Sequence, residues 1–315
     1  MDLSIIITYH NEGALFLREC LDQIRATIDV ENYEIIVVDD CSAVPLVADG
    51  FTLVRHSKNK GVGAAFDSGM KYASSENVII MACDIRFMDN GWASKTLKEI
   101  QAHPKAITCT SCVAISSDIM DPDIRKDKRM NGATIELFGD NISNPKMPAN
   151  WRTIINGKWL AILADHQVPS YEIPCLMGAF YGVRKSWYEY IDGFNLHYLW
   201  GTLEPYISLK SWFFGGSVRV APAIETAHIF KKNGTHGTPQ AAVMYNKLLV
   251  STLLFTYEDS QKLINHLGAC PNVMAGKSLL ANRSDQLNEL RTEYAKKIKI
   301  DRHQWIKRFN INWKY

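Results

Sequence analysis

A chain of 315 residues with 47% hydrophobic and 22% charged side chains can bury a core without disulfide or metal staples, as one large domain or two fused ones. Its 35 Lys and Arg against 33 Asp and Glu leave a formal charge of +2, which taken whole argues against a wholesale nucleic-acid binder. The total hides an asymmetry: His236 to Tyr315 hold 12 basic and 6 acidic residues, net +6, while residues 1–235 hold 23 and 27, net −4.

The chain opens on an apolar, β-branched run, Ser4 to Thr8, that breaks at once into Tyr-His-Asn-Glu-Gly. It is too short for a membrane span and lacks the layout of a signal peptide. Leu17, Leu21, Ile24 and Ile28 then recur at helical spacing, and Tyr33 to Val38 is a second apolar run closed by Asp39 and Asp40. Gly61 to Ala73 reads as a helix with small residues on one face, and Val78 to Met81 as a third buried strand ending at Ala82-Cys83-Asp84. Repeated strand–helix–strand units predict a mostly parallel sheet covered on both faces. Ligands of such sheets bind beyond the carboxyl ends of the strands. Asn11 and Glu12, Asp39 and Asp40, and Asp84 stand at three such ends and predict a site for a phosphorylated or nucleotide ligand.

From about Ser116 to Trp159 the pattern becomes irregular, rich in Asp, Asn, Pro and Lys, and reads as a long excursion able to cover a site. Order returns at Glu172 to Val183 and continues to about Phe230; Val243 to Tyr257 and Ser284 to Ile298 are the last two helical patterns. In the last, Ser284 can cap and Leu287, Leu290, Tyr294 and Ile298 form the buried stripe. The seven cysteines are odd in number, and Cys109 and Cys112 form half of a zinc-like pair with no second half. Reduced, buried thiols are the expectation, and with them a cytoplasmic protein whose sequons at Asn141, Asn233 and Asn282 stay unmodified.

Three groups could carry chemistry. Asp84, directly after a buried strand, is placed to hold Mg²⁺ or Mn²⁺ against a diphosphate, or to cap the next helix. His228, before Ile-Phe-Lys-Lys, could complete a metal shell with the lysines neutralising phosphate, or serve the core. Glu204, at a helix start in Trp200-Gly201-Thr202-Leu203-Glu204, could be a general base for an acceptor hydroxyl or complement the helix dipole. Gly61, Gly63 and Gly69 could cradle phosphate or permit close packing, and no complete Walker or dinucleotide fingerprint is present.

In this order the pieces resemble the GT-A glycosyltransferases, meaning family 2 and the related polypeptide N-acetylgalactosaminyltransferases. SIIITYHNE is similar to that family's first strand and nucleotide loop, VVDDCS to its VVDDGS, and NKGVGAAFDSG to its N-x-G-x-x-x-A-x-N-x-G. ACDIRFMDNGW resembles the segment that carries its Asp-x-Asp. MGAFYGVRKSWYEYIDGFN and WGTLEPYISLKSWFFGGSVRVAPAIETAHIFKK resemble the transferases' second half, up to G-H-x-F-R-K. The resemblance covers roughly residues 3 to 232.

It implies an α/β, GT-A fold, with a Rossmann-like, mostly parallel central sheet flanked by helices and a helical C-terminal extension. Residues 1–110 would form the nucleotide-sugar-binding half, 111–235 the donor-sugar and acceptor half, and 236–315 the basic extension. Thr8, Glu12, Asp39 and Asp40 would hold the uracil and ribose of a UDP-sugar, beside Gly61. Asp84 would be the last Asp of the Asp-x-Asp and a metal ligand with His228. Gly178 and Ala179 would lie against the donor sugar, and Trp200 and Glu204 by the sugar and acceptor.

The sequence departs from that pattern in three places. Ala82 replaces the first acidic residue of the Asp-x-Asp, with Arg86 close enough to add positive charge. Leu203-Glu204 keeps only the second carboxylate of the family's pair, the base position of inverting members. Phe66 stands where many members have Arg. The expected function is transfer of a hexosyl, pentosyl or N-acetylhexosaminyl group from a UDP-sugar, with Mn²⁺ or Mg²⁺, to a hydroxyl. The alternative is a catalytically silent nucleotide-sugar-binding protein. The acceptor could be on a protein, a glycan, a lipid-linked substrate or a hydroxymethylated base in DNA. Residues 291–315, where Tyr294, Trp305, Phe309, Trp313 and Tyr315 interleave with eight Lys and Arg, are a candidate nucleic-acid contact, or a solvated helix face whose aromatics pack on the core, or a membrane-surface patch for a lipid-linked acceptor.

Overall fold

The computed structural model describes residues 1–116, 129–140, 152–160, 168–230, 237 and 239–313. Strands β1 (Leu3–Tyr9), β2 (Tyr33–Asp39), β3 (Thr52–Arg55) and β4 (Asn77–Ala82) lie parallel in the order β3-β2-β1-β4. Helices α1 (Ala14–Thr27) and α2 (Val62–Tyr72) make the crossovers. The apolar runs are continuous because both faces of these strands are covered. Alternate residues part accordingly: Ile6, Ile36, Val38, Val78 and Ile80 face α2, and Ile5, Ile7, Val37, Ile79 and Met81 face α1. The stripe on α1 ends at Ile24; Ile28 is the capping residue beyond the helix.

Beyond β4 come β5 (Ile85–Phe87), α3 (Trp92–Ala102), β6 (Ala106–Ser116), β7 (Ala133–Asp140), β8 (Arg152–Trp159), β9 (Tyr171–Glu172), β10 (Phe180–Arg184) and α4 (Lys185–Tyr190). They are followed by α5 (Leu203–Phe213) and β11 (Ser217–Phe230). The sheet continues β4-β10-β6-β11-β5, with β10 antiparallel to both its neighbours and β11 parallel to β6. The stretch from Ser116 to Trp159, expected to be irregular, contains the antiparallel hairpin β7–β8 among its described residues. Residues 117–128 and 141–151 of that excursion, and Lys231 and Lys232 after β11, lie outside the described residues. Cys109 and Cys112 both sit on β6, where burial pushes each thiol up to about 12. They are inert core thiols.

Gly63 and Gly69 serve packing. A Cβ on Gly69 would stand 2.3 Å from Ile6 Cγ2, and one on Gly63 2.9 Å from Phe194 Cβ, so α2 lies flush on the sheet and on the 194 turn.

The C-terminal region is helical: α6 (Gln240–Leu254), α7 (Tyr257–Leu267), α8 (Pro271–Ala281), α9 (Ser284–Lys297) and α10 (Arg302–Arg308). It shares the core with the sheet. Leu248, Leu249, Tyr294, Trp305 and Ile306 belong to the same apolar cluster as Phe213, Val218 and Ile80. Tyr294 and Trp305 are buried, Phe309 packs edge-on against Trp212, and Trp313 against Phe138. Arg308 lies over the Trp212 ring and pairs with Glu172, Arg302 donates to the Leu254 carbonyl, and Lys297 pairs with Glu293. The basic, aromatic sequence that reads as a nucleic-acid contact is therefore, over its described part, a helical layer with its aromatics turned inward. No described helix is long and apolar enough to cross a membrane.

Candidate active site

Register puts the first set of side chains together. Thr8 pairs with Val38 on β2 and Ala82 on β4, and Tyr9 with Asp39, so the carboxyl ends of the three strands form one edge. Past β1 the chain turns sharply, and the Glu12 carboxylate accepts from the His10 amide. The His10 ring hydrogen-bonds the Asp40 carbonyl (2.7 Å) and Asn59 (2.9 Å).

Asp39 and Asp40 are buried and already engaged. Asp39 accepts from the Ser42 amide at 2.8 Å, the Leu46 amide at 3.4 Å and the Arg55 guanidinium. Burial raises its pKa, but these donors outweigh it and hold the carboxyl below the usual aspartate value. Asp40 accepts from His56 Nδ1 (2.7 Å) and from the Lys60 and Gly61 amides (2.8 and 2.7 Å). Both carboxylates thus build the loops that frame the edge. The Gly61 N–H is committed to Asp40 as well, and its glycine character has another cause: φ is +92°, and a Cβ there would stand 2.2 Å from the Leu199 carbonyl oxygen. The backbones of Gly61 and Leu199 form a β-bridge.

Asp84 lies in the tight β4–β5 turn. β5 pairs with β11, His228 opposite Ile85, and the Ile229 amide donates to the Asp84 carbonyl. His228 Nε2 ends 3.6 Å from Asp84 Oδ1. One carboxylate and one imidazole at this separation can share a single cation with ligand distances of about 2.1 Å, and they are hard and borderline donors suited to Mg²⁺ or Mn²⁺. Among the described residues no cluster of three or more His, Cys, Asp or Glu forms. Arg86 does not add its charge there. Its guanidinium pairs with Glu19 (2.8 Å) and donates to the Cys83, Ile85 and Phe16 carbonyls, tying the turn to α1.

The other wall comes from α5. Leu199, Gly201 and Thr202 have positive φ, which lets the chain turn into the helix with Glu204 in its first turn. Tyr181 on β10 donates its hydroxyl to Glu204 Oε1 at 3.1 Å. Burial pushes the Glu204 carboxyl above the ordinary glutamate value. Gly178 leaves room for it, since a Cβ there would stand 2.5 Å from Glu204 Oε1. The Ala179 carbonyl accepts from the Ala82 amide at 3.1 Å, which seats Gly178-Ala179 on the end of β4. Trp200 is exposed beside this wall.

Most of the predicted residues therefore lie on one continuous path. It runs from Asp40 through Gly61 to Leu199 and Trp200, down to Glu204, across Gly178-Ala179 to Ala82, and on to Asp84 and His228. Tyr181, His56 and His197 were not legible beforehand, because none stands in a patterned position. His197 donates Nε2–H to the Gly201 carbonyl at 2.8 Å, and burial pushes its pKa down to about 4 from 6.5. The folded state binds fewer protons than the unfolded one between these values, so the imidazole's contribution to stability is present above pH 6.5 and is lost as pH falls toward 4. A His197→Asn variant should show a shallower fall of melting temperature across that window than the wild type; parallel curves would refute the assignment.

A sequence profile for glycosyl transferase family 2 matches residues 4–189. Polypeptide N-acetylgalactosaminyltransferase 3 of Taeniopygia guttata is 23% identical over 263 residues, covering 75% of this chain and 39% of that protein. Polypeptide N-acetylgalactosaminyltransferase 6 of Mus musculus is 21% identical over 310 residues, covering 91% of this chain and 46% of that protein, so the similarity runs into the C-terminal helices. The chain spans less than half the length of these relatives. The crystal structure of GalNAc-T7 with UDP, GalNAc and Mn²⁺ superposes with a TM-score of 0.65 at 18% identity, over 90% of this chain and 54% of that one, and shows the same fold. The chain is a member of glycosyl transferase family 2 with the GT-A fold.

Proposed function

We propose that this protein is a metal-dependent glycosyltransferase that moves a sugar from a UDP-sugar to an acceptor hydroxyl. The observation that carries the reading is the path that joins Asp84 and His228 to Glu204 through Gly178-Ala179. Thr8, with the loops framed by Asp39, Asp40 and Glu12, receives the uridine. Asp84 and His228 would hold a Mn²⁺ or Mg²⁺ ion, which when bound offsets the charge of the departing diphosphate. The acceptor oxygen attacks the anomeric carbon, the bond from that carbon to the UDP oxygen breaks, and the acceptor proton passes to Glu204. Tyr181 fixes one oxygen of that carboxylate, and burial makes it a stronger base than an exposed glutamate.

We take the acceptor hydroxyl to be on a protein or glycan. A base drawn from DNA would call for exposed aromatics and cations, and among the described residues Tyr294, Trp305, Phe309 and Trp313 pack in or against the core. The relatives named above are polypeptide N-acetylgalactosaminyltransferases. Purified protein with a panel of nucleotide sugars and Mn²⁺ is expected to release UDP, and Asp84→Ala and His228→Ala to abolish the release. Metal-dependent turnover persisting in both would overturn the metal site. Calorimetric UDP binding with no turnover on any donor would show a silent binding protein instead.

A further inference from the structure

We infer that Asn246, on α6, is the positioning residue that holds the Trp200 loop in its active shape, so that the C-terminal helices form one wall of the active site. Asn246 is fully buried. Its Oδ1 accepts from the Tyr198 amide at 2.9 Å, and its Nδ2 donates toward the carbonyls of Tyr198 (2.8 Å), Gly201 (3.0 Å) and Trp200 (3.1 Å). One side chain thereby satisfies backbone groups of three residues in a loop whose other pairing is the bridge between Leu199 and Gly61. The loop needs such a brace: Leu196, Leu199 and Thr202 hold positive φ without being glycine, a conformation that crowds Cβ against the backbone and is disfavoured in L residues.

The surroundings share the task. The Tyr245 hydroxyl donates to the Leu196 carbonyl at 2.9 Å, and the Arg283 guanidinium lies over the Tyr198 and Tyr245 rings at 5.8 and 5.5 Å. On the opposite side Val62 donates to the Leu199 carbonyl, and His197 shares the Gly201 carbonyl. The loop is thus caught between α6 and the start of α2, with Trp200 pointing into solvent and Glu204 following directly. A truncated amide would leave one amide and three carbonyls of the loop without this partner, and the loop would leave the conformation that sets Glu204 against Gly178.

The catalytic part rests on the transferase reading; the structural part does not. In Asn246→Ala, backbone amides of residues 196–203 are expected to exchange hydrogen at least about tenfold faster, the size of one lost backbone-capping contact. Exchange in β1, β2 and β4 should be unchanged. UDP affinity in the presence of Mn²⁺ should stay close to wild type, because Thr8, Asp39, Asp40 and Asp84 are held by the sheet, while turnover falls about 10- to 100-fold. Asn246→Asp, which keeps the acceptor and loses the donors, should behave like the alanine variant. Unchanged loop exchange, or a loss of UDP affinity that matches the loss of turnover, would overturn the assignment. Should the alanine variant fail to fold, Tyr245→Phe, which removes the hydroxyl's contacts with the Leu196 carbonyl and Arg283, should speed exchange at 196–199; no change there would refute the clamp. A wild-type protein that binds UDP without turnover would defeat the transferase reading and leave the exchange result to decide the clamp.

Discussion

Glu204→Gln is expected to lower sugar transfer about 10²- to 10⁴-fold while UDP binding stays as in the wild type. The amide keeps the shape of the side chain and can still accept from Tyr181, so the packing against Gly178 survives; only the capacity to take a proton is lost. The raised pKa of the carboxyl gives a second signature. Because burial favours its protonated form, the acidic limb of the pH–rate profile should lie above that of an ordinary glutamate, and the limb should vanish in the variant. Single-turnover transfer beside UDP calorimetry measures both. Near wild-type transfer in Glu204→Gln would leave the residue with the helix-dipole role alone.

Removal of residues 284–315 is expected to abolish folding rather than to weaken an interaction with nucleic acid. Leu287, Tyr294, Trp305, Ile306 and Ile311 all end in the main apolar cluster, and Tyr294 also donates to Asp192 Oδ2 at 2.6 Å. Deleting a single buried aromatic side chain costs about 3–5 kcal/mol, and a domain's total stability is about 5–15 kcal/mol. Losing two such aromatics and three aliphatics together exceeds that total. Circular dichroism and size exclusion of the 1–283 chain decide the matter: a soluble, folded 1–283 protein would make the tail an appended arm. In the 1–315 chain, Trp305→Ala should lower stability by about 3–5 kcal/mol.

The parallel half of the sheet was legible because its strands are buried on both faces and so read as unbroken apolar runs. β1 and β4 are the plainest cases. The β7–β8 hairpin was not, since its hydrophobic residues are interrupted by Gly139, Asp140, Asn156 and Gly157, and Ile155 takes a positive φ. β5, three residues long, has no period to detect. The Asp84, His228 and Glu204 positions were recognisable from family motifs, but the engagement of Asp39, Asp40 and Arg86 with neighbouring groups depends on loops brought together in three dimensions. The tail is ambiguous in sequence for a physical reason. A helix that turns tyrosine and tryptophan to the core and lysine and arginine to water produces the same interleaved sequence as an arm that stacks on bases. Asn246 carried no signal at all, because an asparagine within a helix acquires meaning only from the distant loop that it holds.

The place of β10 in the sheet bears on how the protein is made. β4 and β6 do not touch each other; β10 fills the gap between them, antiparallel to both. Until Arg184 has left the ribosome, the Asn77–Ala82 strand is an apolar edge with no partner on that side, open to pairing with other chains. At about 5–20 residues per second that interval lasts several seconds. Nascent chains stalled before residue 184 should therefore be the ones that aggregate, and slower synthesis across residues 83–179 should lower the soluble yield.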